Sequence, residues 1–190
     1  MIETVLSRVA PDDMEPGARA AYDALQELTG DATFVQVFAK APELLDFAMV
    51  EFYQKLFFEG RVPEKYMQLA RLRLSMSHGC RTCNNQNVPS VIAQGYSEDQ
   101  VQAMWAQDYS SFGEDEAAVM ELADQIALDN REGELTPEMF EKLRRHFSEE
   151  DILNISLCLG VSVGLVKMSF ALGLVQKEPY CEFGESNKAA

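Results

Sequence analysis

The sequence predicts an all-α fold, and three observations carry that prediction. Apolar side chains recur three and four residues apart along most of the chain. Proline, serine or threonine stands where several of these patterns begin, and glycine where several end. No stretch alternates apolar and polar residues between turn signals, as a half-buried strand would. At 190 residues, 47% apolar and 25% charged, the chain is long enough for one ordinary globular core without staples.

Residues 1–15 read as an irregular lead-in around Pro11, Asp12 and Asp13. Pro16 to Thr29 repeats Ala20, Ala21, Ala24, Leu25 and Leu28 at helical spacing, and Gly30 stops it. A short helical run follows from Phe34 to Phe38. Pro42 opens a stronger helix through Leu45, Ala48, Met49, Phe52 and Leu56, closed by Gly60. Pro63 opens the next, through Met67, Leu69, Leu72 and Met76, ending near Gly79. A helix from about Cys80 to Gln94 stops at Gly95, and Ser97-Glu98-Asp99-Gln100 is a capping-box start for a helix through Trp105. Residues 114–130 form another amphipathic helix. Thr136-Pro137-Glu138 caps a short one that reaches Phe147.

Ser148 caps the last helix, from about Glu149 to Val175. Its length and apolarity match a membrane span, but Asn154, several serines and Lys167 interrupt it, so it reads as a buried central or inter-subunit helix. Gly160 and Gly164 would let another helix approach closely. The expected organisation is one helical domain, residues 1–177, with N-terminal helices in 1–60, a cysteine-bearing core in 61–112 and C-terminal helices in 113–177. Residues 178–190 are expected to be a loose tail.

The net charge of −15 argues against nucleic acid and against anionic membrane surfaces. Residues 61–112 alone are not acidic, with five basic and four acidic side chains. In that segment lie Arg71, Arg73, Arg81 and the pair Cys80 and Cys83, and nearby positive charge favours a thiolate. Four cysteines in a chain of this size, two of them in Cys-x-x-Cys, do not read as a secreted disulfide framework, and Met1-Ile2-Glu3-Thr4 lacks the basic and apolar regions of a signal peptide. The expected compartment is the cytoplasm.

Gly79 breaks one helix, so Cys80 falls at the N-terminus of the next, where free N–H groups and the helix dipole lower a thiol pKa. Cys83 lies one turn on, within disulfide reach, which suits reversible dithiol–disulfide exchange. Zinc binding and plain structural packing remain as other readings, although Cys158 and Cys181 are distant in sequence from the pair. His78 either supports a thiolate or proton transfer, or merely ends a helix. No cofactor is called for. His146, beside Arg144 and Arg145 at a helix end, reads as structural.

The run Pro63 to Ser75, then Gly79-Cys80-Arg81-Thr82-Cys83, then Gly95-Tyr96-Ser97-Glu98, resembles the carboxymuconolactone decarboxylase and alkyl hydroperoxidase D (AhpD-like) superfamily, and Ala41 to Gly60 resembles its preceding helix. The resemblance implies an AhpD-like helical fold, a trimer or hexamer, and peroxide reduction by a cysteine pair. In that branch a glutamate twelve residues before the first cysteine and a histidine four after the second relay a proton. Here those positions are Gln68 and Asn87, amides that do not titrate and cannot act as general base.

The leading expectation is therefore a thiol–disulfide oxidoreductase or peroxidase-related protein using Cys80 and Cys83, with Gln68, His78 and Asn87 in support. Its substrate would be a small peroxide or disulfide, and its reductant a dithiol such as a lipoyl group or a thioredoxin-like protein. The alternatives are a non-catalytic oligomeric binding protein of the same fold and a lyase acting on a small lactone acid.

Overall fold

The computed structural model describes residues 4–181, and its elements are helical throughout. A single turn of 3₁₀ helix at Pro11–Asp13 precedes α1 (Pro16–Thr29) and α2 (Thr33–Phe38). Then come α3 (Pro42–Asp46), α4 (Glu64–His78), α5 (Arg81–Ala93), α6 (Glu98–Trp105), α7 (Glu114–Ile126), α8 (Pro137–Arg144) and α9 (Glu149–Leu172). The caps behave as their chemistry requires. Ser97 and Gln100 close a capping box on α6, Thr136 Oγ1 accepts from the Met139 N–H, and Ser148 with Asp151 boxes α9.

The centre of the molecule is α4. Every residue from Met67 to Met76 is buried, because helices pack on more than one side of it. One face joins Phe52, Phe57, Leu122, Ile155 and Leu159 in the main core. Another joins Val91, Val101, Met104 and Met120 under α5, α6 and α7. Two arginines and a glutamine lie within this buried run, and their fate decides the site.

The structure departs from the sequence reading in two places. The helix expected from Pro42 to Gly60 is α-helical only to Asp46. Phe47–Phe58 continues it without a break as a π-helix, ending on the Glu59 N–H bond to Gln54 O, five residues back. Extended π geometry is rare and tends to mark functional positions. Here it turns Met49, Tyr53, Gln54 and Phe58 toward one cavity.

The second departure is the tail. Residues 178–181 are not loose: the Glu178 N–H bonds Gly79 O at 2.8 Å, Tyr180 meets Trp105 edge-on at 5.5 Å, and Cys181 is buried. Gly79, left-handed at φ +63°, makes this possible, since a Cβ there would stand 2.7 Å from the Cys181 Cβ. Residues 182–190 of the expected tail lie outside the described residues.

The last helix buries one face, through Ile152, Ile155, Leu159, Val166 and Phe170. Its other face carries Leu153 and Leu157, both exposed, and Gly160 and Gly164 with open space before them.

Candidate active site

Gly79 ends α4 with its own N–H on Met76 O and the Cys80 N–H on Ser75 O. That turn delivers Cys80 to the N-cap of α5, where its Sγ accepts the Cys83 N–H at 3.3 Å. The two cysteines form a disulfide, with Cα atoms 5.2 Å apart. Their surroundings differ. Cys80 is completely buried against Val166, Phe170 and Cys181. Cys83 is half-buried and stands on the wall of a cavity of about 320 Å³.

That cavity is roofed by Tyr53 and Phe58 of the π-helical segment, with Leu25 and Phe34 from α1 and α2. Its floor is α4 and α5, and α9 supplies Leu165, Val166 and the small serines Ser162 and Ser169. Most of the lining is apolar, as in small-molecule sites generally.

Asn87 lies on this wall one turn beyond Cys83. Its Nδ2 donates to Ser75 Oγ at 3.0 Å, and the Ser75 hydroxyl proton has Asn84 Oδ1 at 2.8 Å and Leu72 O at 2.9 Å within reach. Asn84 continues the chain toward Tyr180 Oη at 3.4 Å. These amides and hydroxyls can orient a thiol or a water but are not themselves general bases near neutral pH. The one carboxylate the string reaches, Glu178 Oε1 at 3.5 Å from Asn84 Nδ2, is paired with Arg81.

Gln68 is elsewhere. It is buried away from the cavity wall, donating to Glu64 Oε1 at 2.9 Å and accepting from Arg71 Nη2 at 2.7 Å.

His78 lines the cavity but serves as a backbone acceptor, its Nε2 taking the Leu128 N–H at 2.8 Å. Burial lowers its pKa to about 4, with the Arg73 charge working in the same direction and Asp129 against it. At neutral pH it is an uncharged imidazole, which gives a thiolate no positive charge.

The three arginines near the pair divide in the same way. Arg73 is paired with Asp124 at 2.5 Å and Arg81 with Glu178 at 3.2 Å. Of the three only Arg71 faces the cavity, and among the described residues no carboxylate lies within ion-pair reach of it. The sequence held no signal that separates them, since none of the three arginines has an acid three or four residues away in either direction. Asp31 was also missed. Its Oδ1 caps α2, accepting from the Thr33 N–H and hydroxyl, while Oδ2 is buried without a partner on the cavity wall.

The other cysteines lie off this wall. Cys158 sits in the main core, where burial pushes its thiol up to about 11, and the Cys181 thiol donates to His78 O at 2.9 Å. Among the described residues, no group of three or more His, Cys, Asp or Glu is placed to hold a metal ion.

Comparison with known proteins agrees with this architecture. Residues 42–125 match the model of the carboxymuconolactone decarboxylase family. The uncharacterized protein YdfG of Bacillus subtilis (strain 168) is 23% identical over 141 residues, covering 73% of this chain and 93% of that protein. Among solved structures, an uncharacterized peroxidase-related protein with an alkylhydroperoxidase AhpD core, from Ralstonia eutropha JMP134, superposes with a TM-score of 0.70 at 16% identity. It covers 95% of this chain and 94% of its own. A debrominase in complex with 2,3,4-tribromopyrrole superposes with a TM-score of 0.71 at 18% identity, over 93% of both chains.

Proposed function

We propose that this chain, which belongs to the carboxymuconolactone decarboxylase and AhpD-like superfamily, is a thiol–disulfide oxidoreductase that reduces a small peroxide or disulfide at Cys83. One observation carries the reading: a disulfide with one sulfur on a ligand-sized cavity and the other buried beneath it, capping the same helix.

With a peroxide, the Cys83 thiolate attacks the terminal oxygen. The O–O bond breaks, the alcohol leaves with a proton, and a sulfenic acid forms. The Cys80 sulfur then attacks the Cys83 sulfur, water leaves, and the disulfide closes, so the dithiol has supplied both electrons. An external dithiol resets the pair by attacking the accessible Cys83 sulfur. The leaving thiolate is then Cys80, which the Cys83 N–H and the α5 N-terminus stabilise. Helix-end stabilisation and accessibility thus fall on different sulfurs, which suits a leaving group and a point of attack.

Gln68, Asn87 and the neutral His78 supply no general base, so the rate depends on how much Cys83 is ionised in solution. General-base assistance is typically worth about 10²–10⁴-fold. The turnover expected here is accordingly modest, and disulfide substrates, whose thiolate leaving group needs no proton delivered to it, are favoured over peroxides, whose alkoxide leaving group does. The exposed Leu153 and Leu157 stripe with Gly160 and Gly164 suits a subunit contact, in keeping with a homo-oligomer, and the compartment proposed is the cytoplasm.

The test is single-turnover oxidation of the reduced protein by one equivalent of an alkyl hydroperoxide or a small disulfide. Cys80→Ser should trap a sulfenic acid or mixed disulfide on Cys83, and Cys83→Ser should abolish the fast phase. Thiol loss no faster than that of a free cysteine in all three proteins would sink the redox reading and leave a binding protein of the same fold.

A further inference from the structure

Arg71 is 6% exposed and lies at the centre of α4. Its Nη2 is held by Gln68 Oε1, and its guanidinium lies 5.3 Å from the Phe57 ring centroid, 5.5 Å from that of Phe58 and 6.0 Å from that of Tyr53. Its Nε is buried and has no hydrogen-bond partner. The ring faces soften the burial of this charge without neutralising it. Among the described residues no carboxylate touches it: Glu64 acts on it only at longer range, through Gln68, whereas its neighbours Arg73 and Arg81 are paired directly. A buried cation without a direct partner is costly to the fold. The guanidinium remains charged at any working pH and presents a planar fork suited to a carboxylate.

We propose that the cavity selects a substrate that is itself a small organic acid. Arg71 takes its carboxylate, the rings of Tyr53 and Phe58 cover its apolar body, and its reducible group reaches Cys83. Arg71 is thus a specificity residue rather than a participant in the sulfur chemistry. The volume of about 320 Å³ equals about ten waters, at the lower end of small-molecule sites, which limits the ligand to a compact acid. Asp31 Oδ2 is the opposite orphan on the same wall. Closed off from the cavity, it acts through its charge, which repels the acid group and steers the carboxylate to the Arg71 end.

What happens at Cys83 rests on the redox reading above, but the binding of the acid does not, and the experiment separates them. Hexanoate and 1-hexanol are titrated calorimetrically into the disulfide form at pH 7, where no turnover occurs. A charge-assisted bond made in a dry site predicts hexanoate roughly ten- to a hundredfold tighter than its neutral counterpart. Arg71→Met should abolish or reverse that preference, and Arg71→Lys should keep part of it. Equal binding of acid and alcohol by the wild type overturns the proposal, as does an undiminished preference in Arg71→Met. If the methionine variant does not fold, the wild-type comparison still decides. Failure of thiol oxidation would remove the redox reading while leaving a measured acid preference in place.

Discussion

Replacing His78 by glutamine removes a buried titrating group while keeping an acceptor for the Leu128 N–H. The imidazole is 1% exposed, so solvent screening does little to reduce its effect. Its folded pKa of about 4 lies below the unfolded value near 6.5, because burial opposes the charged form. The unfolded chain therefore binds the proton first. The stability that neutral His78 allows is fully present above about pH 6.5 and is lost as the pH falls toward 4. The whole gap corresponds to about 3 kcal/mol, and the fraction lost between pH 7.5 and pH 5 is about 2 kcal/mol. Urea unfolding of the disulfide form at both pH values, in wild type and His78→Gln, isolates this contribution from the many surface carboxylates, which titrate alike in the two proteins. The wild type should lose about 2 kcal/mol more than the variant over that interval. Parallel losses, within about 0.5 kcal/mol, would show that His78 is not held neutral by burial and would reopen it as a charge beside the thiols.

Gly79→Ala should destabilise the protein by about 2 kcal/mol or more, since it combines a left-handed backbone with a Cβ placed 2.7 Å from Cys181. Urea titration measures the loss, and a change under about 0.5 kcal/mol would contradict the packing of residues 178–181. Arg71→Met should change stability by no more than about 1 kcal/mol. It removes the ring and Gln68 interactions but buries an apolar group in place of an unpaired charge, and the two effects offset each other. Leu72→Ala at the next position should cost about 2–5 kcal/mol in the same titration. The oxidation rate of reduced Cys83 should rise with pH through a single ionisation and then level off. A bell-shaped profile with a second group near neutral pH would reveal a general base that Asn87, Ser75 and the neutral His78 cannot supply.

The helices and most of their ends were legible in the order of residues alone. Proline starts, hydroxyl caps and glycine stops act over three or four residues, so Pro16, Ser97, Thr136, Ser148 and Gly79 could be read without knowing what packs against what. The same local signals placed Cys80 and Cys83 on the first turn of one helix, within bonding distance. That these two sulfurs are unlike emerged from the folded chain, because whether a sulfur faces α9 and the tail or a cavity depends on elements far away in sequence. The π geometry of Phe47–Phe58, whose aromatic residues roof the site, likewise carries no local signal, since the apolar spacing there reads as an ordinary helix. Charge divided in the same way. Three arginines near the cysteines looked equivalent along the chain, yet among the described residues carboxylates distant in sequence pair directly with Arg73 and Arg81, while none touches Arg71 in its apolar pocket. Coulombic pairing depends on distance through space, and for these side chains that distance is set by the fold.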